Sequence, residues 1–285
     1  MASRFRLAVA AAIAFSAVPA VAQTSALDEV IAAERAFADY TREHGMRSGF
    51  LAFVAPDGWG FDPAPTPARP GLEALPEAAT EGPPLHWWPQ FAGVANSGDL
   101  GFTTGGATIP VRYFTVWQRQ VDGTWRWVYD GGPRQREPLP GSADDEVARL
   151  PAATASAGSP ERALAEIAPL ETELARDAET DAAAARLRFL AEDGLVAGSP
   201  QASSPGRAGQ EAELARQPAR LTMRPLGGLA SSAGDLAFTW GELHWTRSDQ
   251  PRSGHYARIW QKRTEGWRLV ADMLIAAPVP PAPAD

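Results

Sequence analysis

Cysteine is absent from this 285-residue chain, and lysine occurs once, at Lys262. The first absence removes disulfides, thiolate metal sites, a cysteine nucleophile and a lipid-modified N-terminal cysteine together. The second leaves nearly all positive charge to arginine. Like the abundance of Ala, Gly and Pro, it reads as coding bias rather than a binding feature. Histidine is scarce too: His44, His86, His244 and His255 are scattered and form no cluster in the sequence. H-E-x-x-H, a phosphate-cradling glycine loop and G-x-S-x-G are all missing. Zinc proteolysis, nucleotide hydrolysis and elbow-type serine hydrolysis therefore have no support, and neither a cofactor nor a metal is expected.

Long apolar runs are also missing after the first residues. Arg4 and Arg6 precede the run from Leu7 to Val18, which is too short to span a bilayer. Pro19 breaks it, and Ala20-Val21-Ala22 supplies an A-x-A cleavage site before Gln23. Residues 1–22 read as a signal peptide, which makes the mature protein periplasmic or secreted, with no membrane partner after cleavage. Loss of Arg4 and Arg6 moves the formal charge from −8 to −10. That field repels a phosphate backbone, so nucleic acid is not an expected partner.

What is present is one stretch written twice. The first copy starts Gly98-Asp99-Leu100 and runs through Tyr113-Phe114-Thr115-Val116-Trp117 to Asp122-Gly123-Thr124-Trp125 and Asp130. The second starts Gly234-Asp235-Leu236 and runs through Tyr256-Ala257-Arg258-Ile259-Trp260 to Gly266-Trp267 and Asp272. The length suits two domains. The boundaries read as a signal peptide at 1–22, a first domain at 24–131, a Pro/Gly/Ala-rich linker at 132–158, a second domain at 159–276 and a Pro/Ala tail at 277–285.

In the first domain Ser25 is an N-cap with Asp28 three residues on. Leu27, Val30, Ile31, Phe37, Ala38 and Thr41 then form a helical stripe that stops near Gly45. A short helix over 48–54, a turn at Asp57-Gly58 and a strand through Trp59-Gly60-Phe61 follow, ended by Pro63. The segment 64–82 holds at most a short helix at 72–75. A strand over 85–95 and three long strands complete the domain, with Asp122-Gly123 as the strongest hairpin signal. The linker carries one possible helical stub at 144–150. The second domain repeats the order from Ser159-Pro160, with a short helix at 187–190, a turn at Asp193-Gly194 and a loose loop over 199–209. Helices followed by runs of strands predict an α+β fold. Long twisted strands can curl round the first helix and leave a cone with an open mouth.

These residues resemble the nuclear-transport-factor-2-like superfamily, and more narrowly its SnoaL-like and secreted domain-of-unknown-function members. The resemblance rests on the helix with Glu34 and Phe37, the Gly98-Asp99-Leu100 strand start, and Tyr113-x-x-x-Trp117 before Asp-Gly-x-Trp. Glu171, Gly234-Asp235-Leu236, Tyr256-x-x-x-Trp260 and Gly266-Trp267 repeat it. It implies two tandem cystatin-like cones, each with helices on a curved antiparallel sheet. The superfamily includes isomerases, cyclases, dehydratases, epoxide hydrolases and domains that only bind or assemble. Its members commonly dimerise through their sheets, so the two copies are expected to form that dimer within one chain.

By the same resemblance, Asp62 in the step Asp62-Pro63 stands where ketosteroid isomerases place a general base. Such a base needs a group to hold the enolate charge, and by position the expected donors are replaced by Phe37 or Ala38 and by Thr115. A turn residue before proline is the simpler account of Asp62. Glu34 and Glu171 fall inside apolar stripes, where a carboxylate is costly unless hydrogen-bonded. They read first as structural acids accepting from a Trp indole, a Tyr hydroxyl or loop amides, and otherwise as buried acids at a cavity floor. Strand alternation puts Glu242 and His244 on one face with Phe238 and Trp240, and Tyr256 with Arg258 on one face of the next strand. If these faces line a cavity, they could polarise a carbonyl or bind an anion; otherwise they belong to a solvated edge hairpin. Of Trp87 and Trp88, one is core and the other lines the mouth. Asp130 and Asp272 read as solvated or turn-capping strand ends.

Two functions remain open. One is binding of a small apolar molecule or a partner through Glu34, Trp88, Tyr113, Glu171, Trp240, Tyr256 and Arg258. The other is cofactor-free isomerase, lyase or hydrolase chemistry with Asp62, Glu242 and His244 as acid–base groups.

Overall fold

A computed structural model of the chain describes residues 25–61, 64–76 and 84–278. The expected signal peptide, Asp62 with Pro63, and the last residues of the tail lie outside the described residues. No helix among the described residues is long and apolar enough to cross a membrane.

The first half begins with α1 (Ala26–His44) and α2 (Met46–Phe53). Ser25 Oγ accepts from the Asp28 amide at 3.2 Å and starts α1. Gly45, at φ 84°, ends it in a conformation that costs other residues more. Then come β1 (Val54–Phe61), β2 (Pro65–Pro67), α3 (Ala68–Ala74), β3 (Trp87–Val94), β4 (Leu100–Ala107), β5 (Tyr113–Arg119), β6 (Trp125–Gly131) and β7 (Ala148–Arg149). Their sheet has the order β2-β1-β6-β5-β4-β3-β7. The second half has α4 (Pro160–Ala178), α5 (Ala182–Phe189), β8 (Leu190–Ala197), α6 (Gly206–Ala215), β9 (Thr222–Ala230), β10 (Leu236–Arg247), β11 (Gln250–Arg263) and β12 (Gly266–Ala276). Its order is β8-β12-β11-β10-β9, which matches the first sheet stripped of its edge strands β2 and β7. The fold is α+β, with a long helix laid on a mostly antiparallel sheet in each half.

Each sheet is covered on both faces. On one face of the first sheet, Val30, Phe37 and Ala38 of α1 pack with Trp87, Tyr113, Trp117 and Trp127. Ile167 and Leu174 of α4 pack likewise with Leu243, Tyr256, Trp260 and Leu269. The remaining faces meet each other: Phe102, Phe114, Val116 and Tyr129 share one apolar cluster with Phe238, Ala257, Ile259 and Met273. Trp59 lies against Trp240 with ring centroids 4.5 Å apart. At the rim the halves exchange matching hydrogen bonds. The Asn96 amide donates to Asp235 at 2.7 Å, and the Ser232 amide donates to Asp99 at 2.9 Å. Residue i of one half touches j of the other and j touches i, as at a two-fold interface.

Several expectations change. Asp57-Gly58 is not a turn; it lies inside β1, whose parallel register to β6 shifts between Val54 and Trp59. A Cβ on Gly58 would meet Val54 Cγ2 at 2.5 Å, so glycine permits the irregularity. The 132–158 segment is not a loose spacer with a helical stub. Val147 and Leu150 are buried, and Ala148–Arg149 forms β7, which pairs parallel with β3 and covers that edge. The short helix of the second half lies at 182–189, started by Asp181, whose side chain accepts from the Ala184 amide at 2.9 Å. The 199–209 stretch runs into α6, which stands between β8 and β9 as α3 stands between β1 and β3.

Candidate functional site

The mouth of the first cone is an apolar cleft of about 510 Å³ between α2, the 109–113 turn and the end of β6. Phe50, Leu85, Trp87, Ile109 and Val111 supply its walls, and Tyr113, Asp130 and Arg134 supply its polar groups. The local chain path explains this placement. After β6 the backbone crosses the mouth through Gly131-Gly132, and Gly132 has φ 144°. A Cβ there would sit 1.9 Å from the Arg112 carbonyl oxygen, so only glycine fits. The Arg112 amide donates to Pro133 O at 3.0 Å and the Gln135 amide to Pro110 O at 2.8 Å, which fixes Arg134 over the opening.

Below the cleft lies Glu34, fully buried behind Trp87. Its carboxylate accepts from Trp87 Nε1, from Thr103 Oγ1 and, at 2.9 Å, from Trp117 Nε1. Burial pushes its pKa up against the pull of these donors. Glu34 therefore braces the cone and does not line the cleft. Tyr113 does line it. Its hydroxyl is buried and has no hydrogen-bond partner of standard geometry, and burial raises its pKa well above the usual phenol value. Asp130 accepts from Thr115 Oγ1 at 2.7 Å. Burial, with a smaller push from Glu34, raises its pKa to about 8. Near neutrality Asp130 is thus mostly a carboxylic acid that can donate. It is half-buried and lines both this cleft and an adjoining one, rather than being the solvated strand end the sequence suggested.

An adjoining cleft of about 530 Å³ opens between the halves and shares Asp130, Gly131, Gly132 and Arg134 with the first. Glu242 and His244 line it, as does His255. Glu242 is held by Arg224 at 2.5 Å, and His244 Nε2 stands 3.9 Å from Glu242 while remaining more than half exposed. His255 stacks on Phe61 with centroids 3.9 Å apart and hydrogen-bonds Tyr129 Oη at 2.8 Å. Burial lowers its pKa to about 4, so the ring is neutral.

Tyr256 and Arg258 do not join this group. In the β10–β11 ladder Glu242 stands opposite His255, whereas Gly241 stands opposite Tyr256 and Thr239 opposite Arg258. Directly paired residues share a face, so Tyr256 and Arg258 point into the second cone while Glu242 and His244 point between the sheets. Trp240 also lies between the sheets, against Trp59. The single cavity considered for Glu242, His244, Tyr256 and Arg258 is therefore excluded. Trp88 is buried on the other face of β3 from Trp87, and its indole Nε1 has no partner.

The second cone is filled with charge. Glu171 accepts from Thr239 Oγ1 at 2.6 Å, Trp260 Nε1 at 2.8 Å and Arg258 Nη1 at 2.7 Å. Arg258 Nε donates to Asp272 at 2.9 Å, and Arg186 Nε donates to the other Asp272 oxygen at 2.6 Å. Burial opposes the Asp272 charge, but Arg186 and Arg258 outweigh it and hold its pKa below the usual value. From α6, Glu213 takes Ser199 and Gln217, and Gln217 accepts from Arg186 at 2.5 Å. What remains is a groove of about 290 Å³ between α4 and β9 that reaches Glu171. Among the described residues no three His, Asp or Glu side chains converge as a metal site requires.

No protein-family model matches the chain, and no curated protein matches it. Solved structures do. A protein of unknown function with a cystatin-like fold from Nostoc punctiforme is 16% identical, covering 41% of this chain and 92% of its own, with a TM-score of 0.34. A nuclear-transport-factor-2-like protein with a cystatin-like fold from Novosphingobium aromaticivorans is 21% identical, covering 41% and 84%, at 0.33. A ketosteroid isomerase-like protein from Erwinia carotovora atroseptica is 12% identical, covering 41% and 97%, at 0.36.

Proposed function

We propose that the first cone binds a small, largely apolar molecule bearing a hydrogen-bond-accepting oxygen, and that the second cone is its scaffold. The observation that carries this is the buried Tyr113 hydroxyl, near Thr103 but without a hydrogen bond of standard geometry, at an apolar cleft beside a protonated Asp130. A buried donor left unpaired costs about 1–3 kcal/mol, which an accepting ligand would return. The test is titration of the mature protein with the neutral ketone benzylacetone, read by tryptophan fluorescence because Trp87 lines the cleft. Saturable quenching that Tyr113→Phe weakens about tenfold supports the proposal. Absence of saturable binding sinks it.

The raised pKa of Asp130 favours one alternative, in which this carboxylic acid gives a proton to a bound substrate in a cofactor-free isomerase, lyase or hydrolase. We also propose that the chain is exported by cleavage after Ala22 and that its halves form a pseudo-dimer. The matching bonds at Asp99 and Asp235 support the pseudo-dimer. A mature N-terminus other than Gln23 by intact-mass analysis would remove the export proposal as drawn.

A further inference from the structure

The cleft beside Tyr113 carries one further polar group, Arg134, and its situation says something about the ligand. Arg134 lines the apolar cleft, the adjoining cleft between the halves and a third, about 540 Å³, at Pro200 and Trp245. Its backbone is pinned by the bridge to Val111, yet its guanidinium has no ion pair or side-chain hydrogen bond among the described residues. The chain is otherwise acidic, with 34 Asp and Glu against 26 Lys and Arg. Among the described residues two other arginines line these clefts, both in the third: Arg216, taken by Glu213 at 2.5 Å, and Arg247; Arg224 holds Glu242 of the adjoining cleft at 2.5 Å. The carboxylate that Arg134 could have claimed across the adjoining cleft is thus already paired.

We infer that the natural ligand of the first cone is a small apolar carboxylic acid, with its apolar body against the wall formed by Phe50, Trp87, Ile109 and Val111 and its carboxylate on Arg134. This rests on the reading of the first cone as a binding site. Among the described residues Arg134 is the only arginine or lysine lining the cleft. One planar guanidinium matches one carboxylate, with two parallel N–H···O bonds. A phosphate monoester would bring close to a second negative charge with no second cation to meet it. Asp130 does not oppose the incoming charge, because at neutral pH it is mostly protonated. Arg134 is exposed at the rim, so its contribution is modest and sensitive to salt.

The experiment compares benzylacetone with hydrocinnamate, in which a carboxylate oxygen replaces the ketone methyl. Both are titrated into wild type, Arg134→Gln and Arg134→Lys at pH 7 and low salt, by calorimetry and tryptophan fluorescence. We expect hydrocinnamate to bind wild type about five- to tenfold more tightly than benzylacetone, a preference that added salt erodes. Arg134→Gln should bring the two within about twofold, and Arg134→Lys should keep part of the preference. Equal affinities in wild type, or a preference that survives in Arg134→Gln, overturns the inference while leaving the cone a binding site. Failure of both probes to bind removes the binding reading and this one with it. The surface position of Arg134 makes a folding defect easy to exclude, by an unchanged melting temperature for each variant.

Discussion

Asp130 and Asp272 occupy the same place in the two halves, each paired across its sheet with the residue two positions after a tyrosine. Thr115 stands opposite Asp130, and Arg258 stands opposite Asp272. The helices beneath differ in the same sense: Phe50 is the fifth residue of α2 and Arg186 the fifth of α5. Two neutral neighbours leave Asp130 protonated beside an open apolar cleft, and two arginines hold Asp272 ionised in a closed one. Glu34 and Glu171 repeat the contrast, one held by indoles and a hydroxyl, the other also by Arg258. A buried carboxyl is thus an acid or an anion according to whether its neighbours carry charge, on a backbone that hardly changes. The half with buried cations fills its cone with ion pairs, and the half with Phe50 and Thr115 at the matching places leaves an apolar cleft.

The comparison can be broken most sharply at Arg258. Arg258→Thr copies the first half into the second and takes their shared cation from two buried carboxylates, Glu171 and Asp272, with an expected cost of about 3–5 kcal/mol in denaturant unfolding. Adding Asp272→Asn should recover part of it; no recovery would mean that packing rather than charge dominates. Next comes Glu34→Leu, which leaves two indoles and a hydroxyl without an acceptor. It should cost about 1–3 kcal/mol, while Glu34→Gln costs less. Equal melting temperatures for wild type and the Leu variant would contradict a bracing role.

The two aspartates should also answer pH in opposite directions. Unfolded, each titrates near the ordinary value. The folded pKa of Asp130 is raised, so between about pH 4 and 8 the unfolded chain binds fewer protons there and stability falls as pH rises. The folded pKa of Asp272 is lowered, so its stabilisation is present above the ordinary value and lost as acid protonates the folded form. Asp130→Asn should therefore raise the melting temperature at pH 8 by roughly 3–6 °C and do little at pH 4. Asp272→Asn should destabilise most near neutrality, and its effect should shrink in acid. Melting curves from pH 3 to 9 decide both. The smallest effect belongs to the rim. Asp99→Ala should cost about 1 kcal/mol and Asp235→Ala, which is fully buried and also holds Ser231, somewhat more, on the order of 2 kcal/mol.

Much of this architecture was legible from spacing. The Ser25 and Ser159-Pro160 caps, the Asp122-Gly123 hairpin and the doubled strands are local signals whose physics does not depend on the rest of the chain. The faces of the strands were not legible, because both faces of each sheet are buried and alternation loses its polar side. That is why Glu242 and His244 could be grouped with Arg258, and why His255, their true neighbour across the ladder, went unnoticed. Only the register supplies it. Asp272 looked like a solvated strand end because Arg186 of α5, which pairs with it, comes from distant sequence, and Asp130 because its partner Thr115 lies on the neighbouring strand. The α6 helix starts inside a Ser, Pro and Gly run that by itself reads as loop. Arg134 was passed over because an arginine between prolines in a connecting segment carries no pattern.

The 132–158 segment has a consequence for assembly. It ties the two sheets into one chain, so the contact formed by Phe114, Tyr129, Phe238 and Ile259 is not subject to mass action. Diluting the protein leaves the apolar faces together, whereas two separate chains would part below their dissociation constant. Unlike identical subunits, joined halves can also vary one residue at a time. A substitution such as arginine for threonine opposite the strand-end aspartate then alters one cone without being imposed on the other.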